Sequence, residues 1–350
     1  VTNPLVDNPL VAAAITALKD RLAGLSRFSK YAGPIGYPLL YGFCLMIFAI
    51  LTFPYGKLKE RLVASFNADQ PPNGGQELQI EDMSGYWLTG VSLKGVTLLR
   101  ASAEPGHPPS KIVIDEATAR YSILSALVGD SSLSFSATAF GGEVSGSYEV
   151  RSKSKVVEMT LDSIDMSGVA PIADAIGVPV LGKLGGSIRM TFPEGKSAKA
   201  TGSVSLEAQD VSVGDGKAKI KGTLALPKVD VGLLTFTAEA KDGTLKVTKF
   251  AAGGRDVDFA GDGRILLRDM APDSLVELQV RFRINDAYRN KSDITKSLFG
   301  TPGSSIPALF ELADPKIKQS KRPDGFYGWN VRGLLGHPDF QPNNAGAGVK

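Results

Sequence analysis

The stretch "VELQVRFRI", Val276–Ile284, decides the fold of this chain. Val276, Leu278, Val280, Phe282 and Ile284 are apolar, and between them stand Glu277, Gln279, Arg281 and Arg283. Successive side chains of an extended backbone point to opposite sides, so this period of two predicts a strand with one dry and one wet face. The same alternation runs through "SLSFSATAF" (Ser132–Phe140), "GSVSLEA" (Gly202–Ala208), "KAKIKGTLAL" (Lys217–Leu226) and "LTFTAEA" (Leu234–Ala240). Gly141-Gly142, Asp215-Gly216, Asp242-Gly243 and Asp262-Gly263 predict tight hairpin turns among these runs. Many short strands joined this way predict a mainly β fold built on an elongated, curved antiparallel sheet. "YSILSALVG" (Tyr121–Gly129) and "GVAPIADAIGV" (Gly168–Val178) interrupt the rhythm and predict short helices. Beyond Asn285 Pro and Gly become frequent, until "GFYGWNVRGLL" (Gly325–Leu335) returns to strand-like composition. Many positions on the dry face hold Ala or Gly. Such a shallow face either packs on another layer or stays open as an apolar groove.

The N-terminal part reads differently. "LLYGFCLMIFAILTFP" (Leu39–Pro54) is apolar on every side, and no charge occurs between Lys30 and Lys57. Ile35 to Phe53 is 19 residues, which as a helix covers ~28 Å of a ~30 Å hydrocarbon core. The expected membrane span is Ile35, Tyr37, Leu39, Leu40, Phe43, Leu45, Ile47, Phe48, Ile50, Leu51 and Phe53 with the residues between them. Bulky "FPYGK" after the run does not suit a cleaved leader. Before it, "NPLVAAAITALKDRLAGL" predicts a helix with Val11, Ile15, Leu18 and Leu22 on one apolar stripe, which needs a partner or a membrane surface. After it, "YGKLKERLVASF" predicts a short helix and "NADQPPNGGQ" a linker. The expected organisation is a cytoplasmic helix and tail over 1–30 and a transmembrane helix over 31–56. A membrane-proximal helix and linker over 57–76, a periplasmic β domain over 77–340 and a flexible tail over 341–350 follow.

Charge and chemistry exclude several classes. Lys plus Arg number 39 and Asp plus Glu 36, a balance of +3 that leaves no footprint for nucleic acid. The single cysteine, Cys44, sits in the apolar run, so neither a disulfide nor a Cys/His metal site is expected. His107 and His337 are each followed by Pro in loop-like contexts, and no nucleophile elbow accompanies them. Gly177, four residues and Gly182-Lys183 imitate a phosphate loop, but Leu184 stands where Ser or Thr must hold Mg²⁺. No catalytic residue and no cofactor is expected.

Together, the single membrane helix, "YWLTGVSLKGVTLL" (Tyr86–Leu99) and "IVIDEATARYSILSALVGD" (Ile112–Asp130) set a pattern. "MTLDSIDMSGVAPIADAIGVPVLGKLGGSIRMTF" (Met159–Phe192) and "LPKVDVGLLTFTAEAKDGTLKVTKFAAGGRDVDFAGDGRILL" (Leu226–Leu267) continue it, and "VRGLLGHPDF" (Val331–Phe340) ends it. This pattern resembles the type II secretion system protein N family, itself similar to the wider AsmA-like group of periplasmic β proteins. The resemblance covers roughly residues 40–340. It implies an accessory component of the type II secretion machine, single-pass in the bacterial inner membrane, with its N-terminus cytoplasmic and its β domain periplasmic. Contacts through strand edges with other secretion subunits, or with further copies of the chain, are the expected mode of action. Trp87, Phe326, Tyr327 and Trp329 are the candidate contacts. The alternative from the same resemblance is an AsmA-like lipid-binding or lipid-transfer protein with an apolar groove in its sheet.

Overall fold

The computed structural model describes residues 36–70, 76–100, 110–127, 129–169, 179–214, 219–220, 224–225, 227–301 and 308–345. The chain divides into two compact units, Val1–Tyr55 and Gly56–Lys350.

In the first unit, helix α1 spans Tyr37–Thr52 with Pro38 in its first turn. There a missing N–H costs nothing, because the first amides of a helix have no intrahelical acceptor. Pro54 ends the helix: a proline pushes the residue before it out of the helical region, and Phe53 is extended at φ −62°, ψ 128°. The described helix therefore covers Tyr37–Thr52 of the expected 19-residue span. Sixteen residues cover about 24 Å, and among the described residues no single helix is long and apolar enough to cross a membrane. Only α1 and the next helix taken together, as a bent pair, meet that requirement. No residue of α1 is buried. Ile35 and the predicted stripe Val11, Ile15, Leu18 and Leu22 lie outside the described residues.

The second unit begins with helix α2, Tyr55–Ala68, and is otherwise mainly β. Its strands are β1 (Gln76–Tyr86), β2 (Gly90–Arg100), β3 (Ser110–Tyr121), β4 (Ser131–Ala139), β5 (Gly142–Arg151), β6 (Ser154–Asp165), β7 (Val180–Pro193) and β8 (Thr201–Val213). A minor two-stranded ladder of β9 (Lys219–Ile220) and β10 (Leu224–Ala225) follows. Then come β11 (Val229–Lys241), β12 (Thr244–Gly253), β13 (Val257–Leu266), β14 (Leu275–Ile284), β15 (Tyr327–Leu334) and β16 (His337–Pro342). Apart from β9 and β10 they form one open antiparallel sheet of 14 strands in chain order. Such a meander needs only short connections, which is why turn signals recur so often in the sequence.

One turn falls where its chemistry predicts. Asp242-Gly243 joins β11 to β12 with φ of 48° and 72°, the left-handed pair that a two-residue hairpin requires. Between β4 and β5 the pair is Phe140-Gly141 (φ 52° and 68°), one residue earlier than expected. Asp262-Gly263 is no turn at all and lies inside β13. Asp215-Gly216 lies outside the described residues. The predicted helix after Tyr121 is Ile123–Leu127 (α3), whereas most of Gly168–Val178 is outside the described residues. Residues that looked merely Pro- and Gly-rich contain four short helices: α4 (Asp286–Arg289), α5 (Asp293–Phe299), α6 (Leu309–Ala313) and α7 (Pro315–Ser320). Ser292 caps α5 in a reciprocal capping box with Thr295. The expected C-terminal tail starts late, since β16 runs to Pro342.

The ladders on both sides of β12 are irregular. A bulge sits between Thr237 and Ala238 on one side and between Val247 and Phe250 on the other. The strands flanking β12 bring Cα atoms within 8 Å, against about 9.6 Å across a flat sheet. Bulges of this kind bend the strand and increase local twist. In this part of the sheet Ala238 is completely buried and Val276 only 2% exposed.

Both sheet edges are blunted. On β1 the amide of Asn67 donates to the carbonyl of Leu78 (3.2 Å) and accepts from its N–H (2.8 Å), imitating a neighbouring strand. Gln70 accepts from the N–H of Gln76, and Lys59 donates to the carbonyl of Glu81. On β16, Pro338 and Pro342 cannot donate to a further strand. Replacing Asn67 by alanine should therefore cost about 1–2 kcal/mol and make the purified chain self-associate through β1. Thermal unfolding and light scattering check this; a variant that melts and scatters like the parent would remove the edge-capping role.

Candidate functional site

Strand register places one apolar row across the whole sheet. It starts at Met83 and passes through Leu93, Ala117, Ala137, Val144 and Leu161 on β2 to β6. It continues through Gly186, Leu206, Phe236, Phe250 and Gly261 on β7 to β13. It ends at Val280, Trp329 and Pro342. No polar side chain interrupts it. The neighbouring row on the other face reads Asp82, Lys94, Glu116, Thr138, Glu143 and Asp162 over the first six strands. Farther along, that polar face carries cross-strand ion pairs: Arg189–Glu158 (3.0 Å), Arg264–Glu277 (2.7 Å) and Arg283–Asp258 (2.6 Å).

The apolar face changes character along its length. Over β8 to β15 it is filled: Val204, Ala238, Val247, Ile265, Val276 and Val331 belong to one buried cluster. Phe250 stacks edge-on between Phe236 and Phe259. Helices α4 to α6 extend this core with Tyr288, Leu298, Phe299 and Phe310. Over β1 to β6 the same face holds only four buried apolar residues among those described, Met83, Val96, Ala139 and Ile164. Leu93, Phe135, Val144, Tyr148, Met159 and Leu161 stay half-buried, and Leu133 is 37% exposed. The result, among the described residues, is a partly exposed apolar face on the first six strands. Close strand packing requires glycine within it: at Gly146, a β-carbon would meet the carbonyl of Glu158 at 2.2 Å.

The other candidate is a depression of about 700 Å³ on the polar face, lined by Lys246, Asp262, Arg264, Glu277, Asn330 and Arg332 among others. Its charges have mixed sign, and Arg264 is already paired with Glu277. Among the described residues no group of three or more His, Cys, Asp or Glu could hold a metal ion. Lys183 lies within β7, so the glycines near it form no phosphate loop. His337 opens β16, and His107 lies outside the described residues.

The proposed contact residues fall in different environments. Trp87 is 72% exposed at the β1–β2 turn. Tyr327 is 3% exposed and belongs to the protein's own core. Its hydroxyl donates to Glu311 (2.8 Å) and its ring stacks on Phe282. Phe326 lies beneath the guanidinium groups of Arg281 and Arg283. Trp329 is half-buried on the apolar face opposite Val280.

Glu311 is the polar hub under this region. Burial pushes its carboxyl up, but hydrogen bonds from Lys321 (2.7 Å) and Tyr327 outweigh that and hold it below the usual carboxylate range. Burial first, then the Glu311 hydrogen bond and charge, push the Tyr327 hydroxyl up. Because the folded state depresses the Glu311 pKa, its contribution is full above the ordinary carboxylate value and is lost as pH falls through the folded value. Glu311→Gln should cost about 2 kcal/mol at neutral pH and flatten the acid limb of stability against pH. An unchanged acid limb in denaturant titrations would show that Glu311 does not carry it.

These features define a class: an open, single-layer antiparallel β protein with one apolar and one polar face. No family model, no curated protein and no solved structure matches the chain.

Proposed function

We propose that this chain is a membrane-anchored lipid-handling protein of the AsmA-like kind, whose trough on β1 to β6 shields acyl chains from water. The observation that supports this is the unbroken apolar row, half-buried over β2 to β6. Leaving such a face wet is costly, at about 25 cal/mol per Å² of apolar surface. A chain that keeps it open gains from a ligand with no hydrogen-bonding demand and a long, narrow shape, as an acyl chain has. The elongated, curved sheet supplies the length and concavity. α1 is the anchor, with no charged residue and no buried side chain. The site is the outer face of a bacterial inner membrane, with the sheet in the periplasm.

A second reading is the accessory component of the type II secretion system. The filled half of the sheet favours it, since β8 to β15 form a solid platform for other subunits. On this reading the blunted edges direct contacts to faces and turns instead of strand addition.

One experiment separates the two. The full chain is extracted from its own membranes in mild detergent and the intact particle is weighed by native mass spectrometry. Phospholipid retained at a fixed ratio, with no secretion subunit, is the expected result. Secretion subunits in fixed ratio with only background lipid would reverse the order of the two readings.

A further inference from the structure

Trp87 occupies a conformation that a bulky residue rarely adopts. Its φ is 51°, in the left-handed region that glycine or asparagine normally takes, and the indole is 72% exposed. Strain of this kind persists where surrounding structure enforces it, and it holds a large apolar group out in water. Leu88 beside it is 53% exposed. The end of β3 joins them: Tyr121 donates its N–H to Thr89 and accepts from the Thr89 hydroxyl. Tyr121 and Ile123 are 39% and 46% exposed. The turn and this strand end make one aromatic-aliphatic tip.

The position of α2 says what faces that tip. Its side chains meet β1 in reverse order, Lys59 at Glu81, Asn67 at Leu78 and Gln70 at Gln76. The helix therefore runs antiparallel to β1, and the chain enters this unit at Gly56 on the side of the sheet where Tyr86 and Trp87 end the strand. Immediately before Gly56 comes the charge-free α1 segment. The first turns of α2 present the exposed Lys57 and Arg61, cations suited to anionic headgroups.

Trp and Tyr with short aliphatic neighbours beside a basic helix start is the composition of a membrane–water interface. We infer that the Trp87 tip is a second membrane contact, seated at headgroup depth in the bilayer that anchors α1. This rests on the anchoring given under the proposed function.

The test uses the full chain reconstituted into vesicles of phosphatidylethanolamine and phosphatidylglycerol. Trp329→Phe leaves Trp87 as the only tryptophan. With lipids brominated near the headgroup end of the acyl chain, Trp87 emission should lose most of its intensity, and aqueous acrylamide should quench it little. Trp87 open to acrylamide and untouched by bromolipid, in a chain that stays with the vesicles through alkaline carbonate, would overturn the tip contact and leave the anchor standing. Shielding from both quenchers would mean that protein covers the tip, and would also overturn it. Release of the chain by carbonate would remove the anchor and this contact with it. Should Trp329→Phe misfold, an environment-sensitive dye on Leu88→Cys in a Cys44→Ser chain reads the same depth.

Discussion

Gly263→Ala is expected to destabilise the sheet by about 3 kcal/mol, lowering the melting temperature by roughly 5–10 °C. Gly263 sits within β13 at φ 139°, between Val247 on β12 and Leu278 on β14. A β-carbon there would fall 2.2 Å from the carbonyl oxygen of Glu277 and 2.8 Å from the Cα of Leu278. Both are backbone atoms of a paired strand, so no side chain can turn aside to make room. Backbone strain at positive φ and overpacking each contribute about 1–3 kcal/mol. Gly253 is the control. It is in the same sheet, with no heavy atom within 4 Å of its absent β-carbon and no positive φ. Gly253→Ala should be neutral or stabilising by up to about 1 kcal/mol, because alanine loses less entropy on folding. Calorimetry on both variants decides it, and equal melting temperatures would sink the explanation.

Charge placed in the trough should abolish lipid retention without unfolding the chain. Leu133 and Val144 lie on the apolar face of β4 and β5, Leu133 37% exposed and Val144 half-buried. Glutamate at either site can keep its carboxylate in water, so each substitution should cost about 1 kcal/mol. An acyl chain laid over that carboxylate would have to desolvate it. Retained phospholipid is therefore expected to fall at least about tenfold, the equivalent of about 1.4 kcal/mol. Val276→Glu is the contrast. Its site is 2% exposed within the filled half, and a buried, unpaired carboxylate there should prevent folding. Lipid retention by Leu133→Glu equal to that of the parent would falsify the trough as the binding surface. Val280 and Phe282 pack against the core clusters, whereas Phe135 lies on the open half.

Misreadings of the sequence share one cause. Asp262-Gly263 has the composition of a hairpin turn, and only the close approach of β14 explains a glycine in mid-strand. Tyr327 has the composition of a contact residue and proves to be core, because Glu311 and Phe282 come from 16 and 45 residues away to meet it. The helices between Asp286 and Ser320 are four to seven residues long, too short for a 3.6-residue period to declare itself.

What the sequence by itself determined is the two-faced antiparallel meander. Alternation is a property of the extended backbone, each strand carries its own, and short turns leave a neighbour no other place to pair. It also determined the break after Thr52, since Pro54 acts on the residue before it whatever surrounds them. Tertiary structure alone decided which half of the apolar face is filled and which half stays open. Burial depends on what folds over a residue, and among the described residues that includes helices packed from far along the chain. A period of two names the dry face but carries no information about its depth.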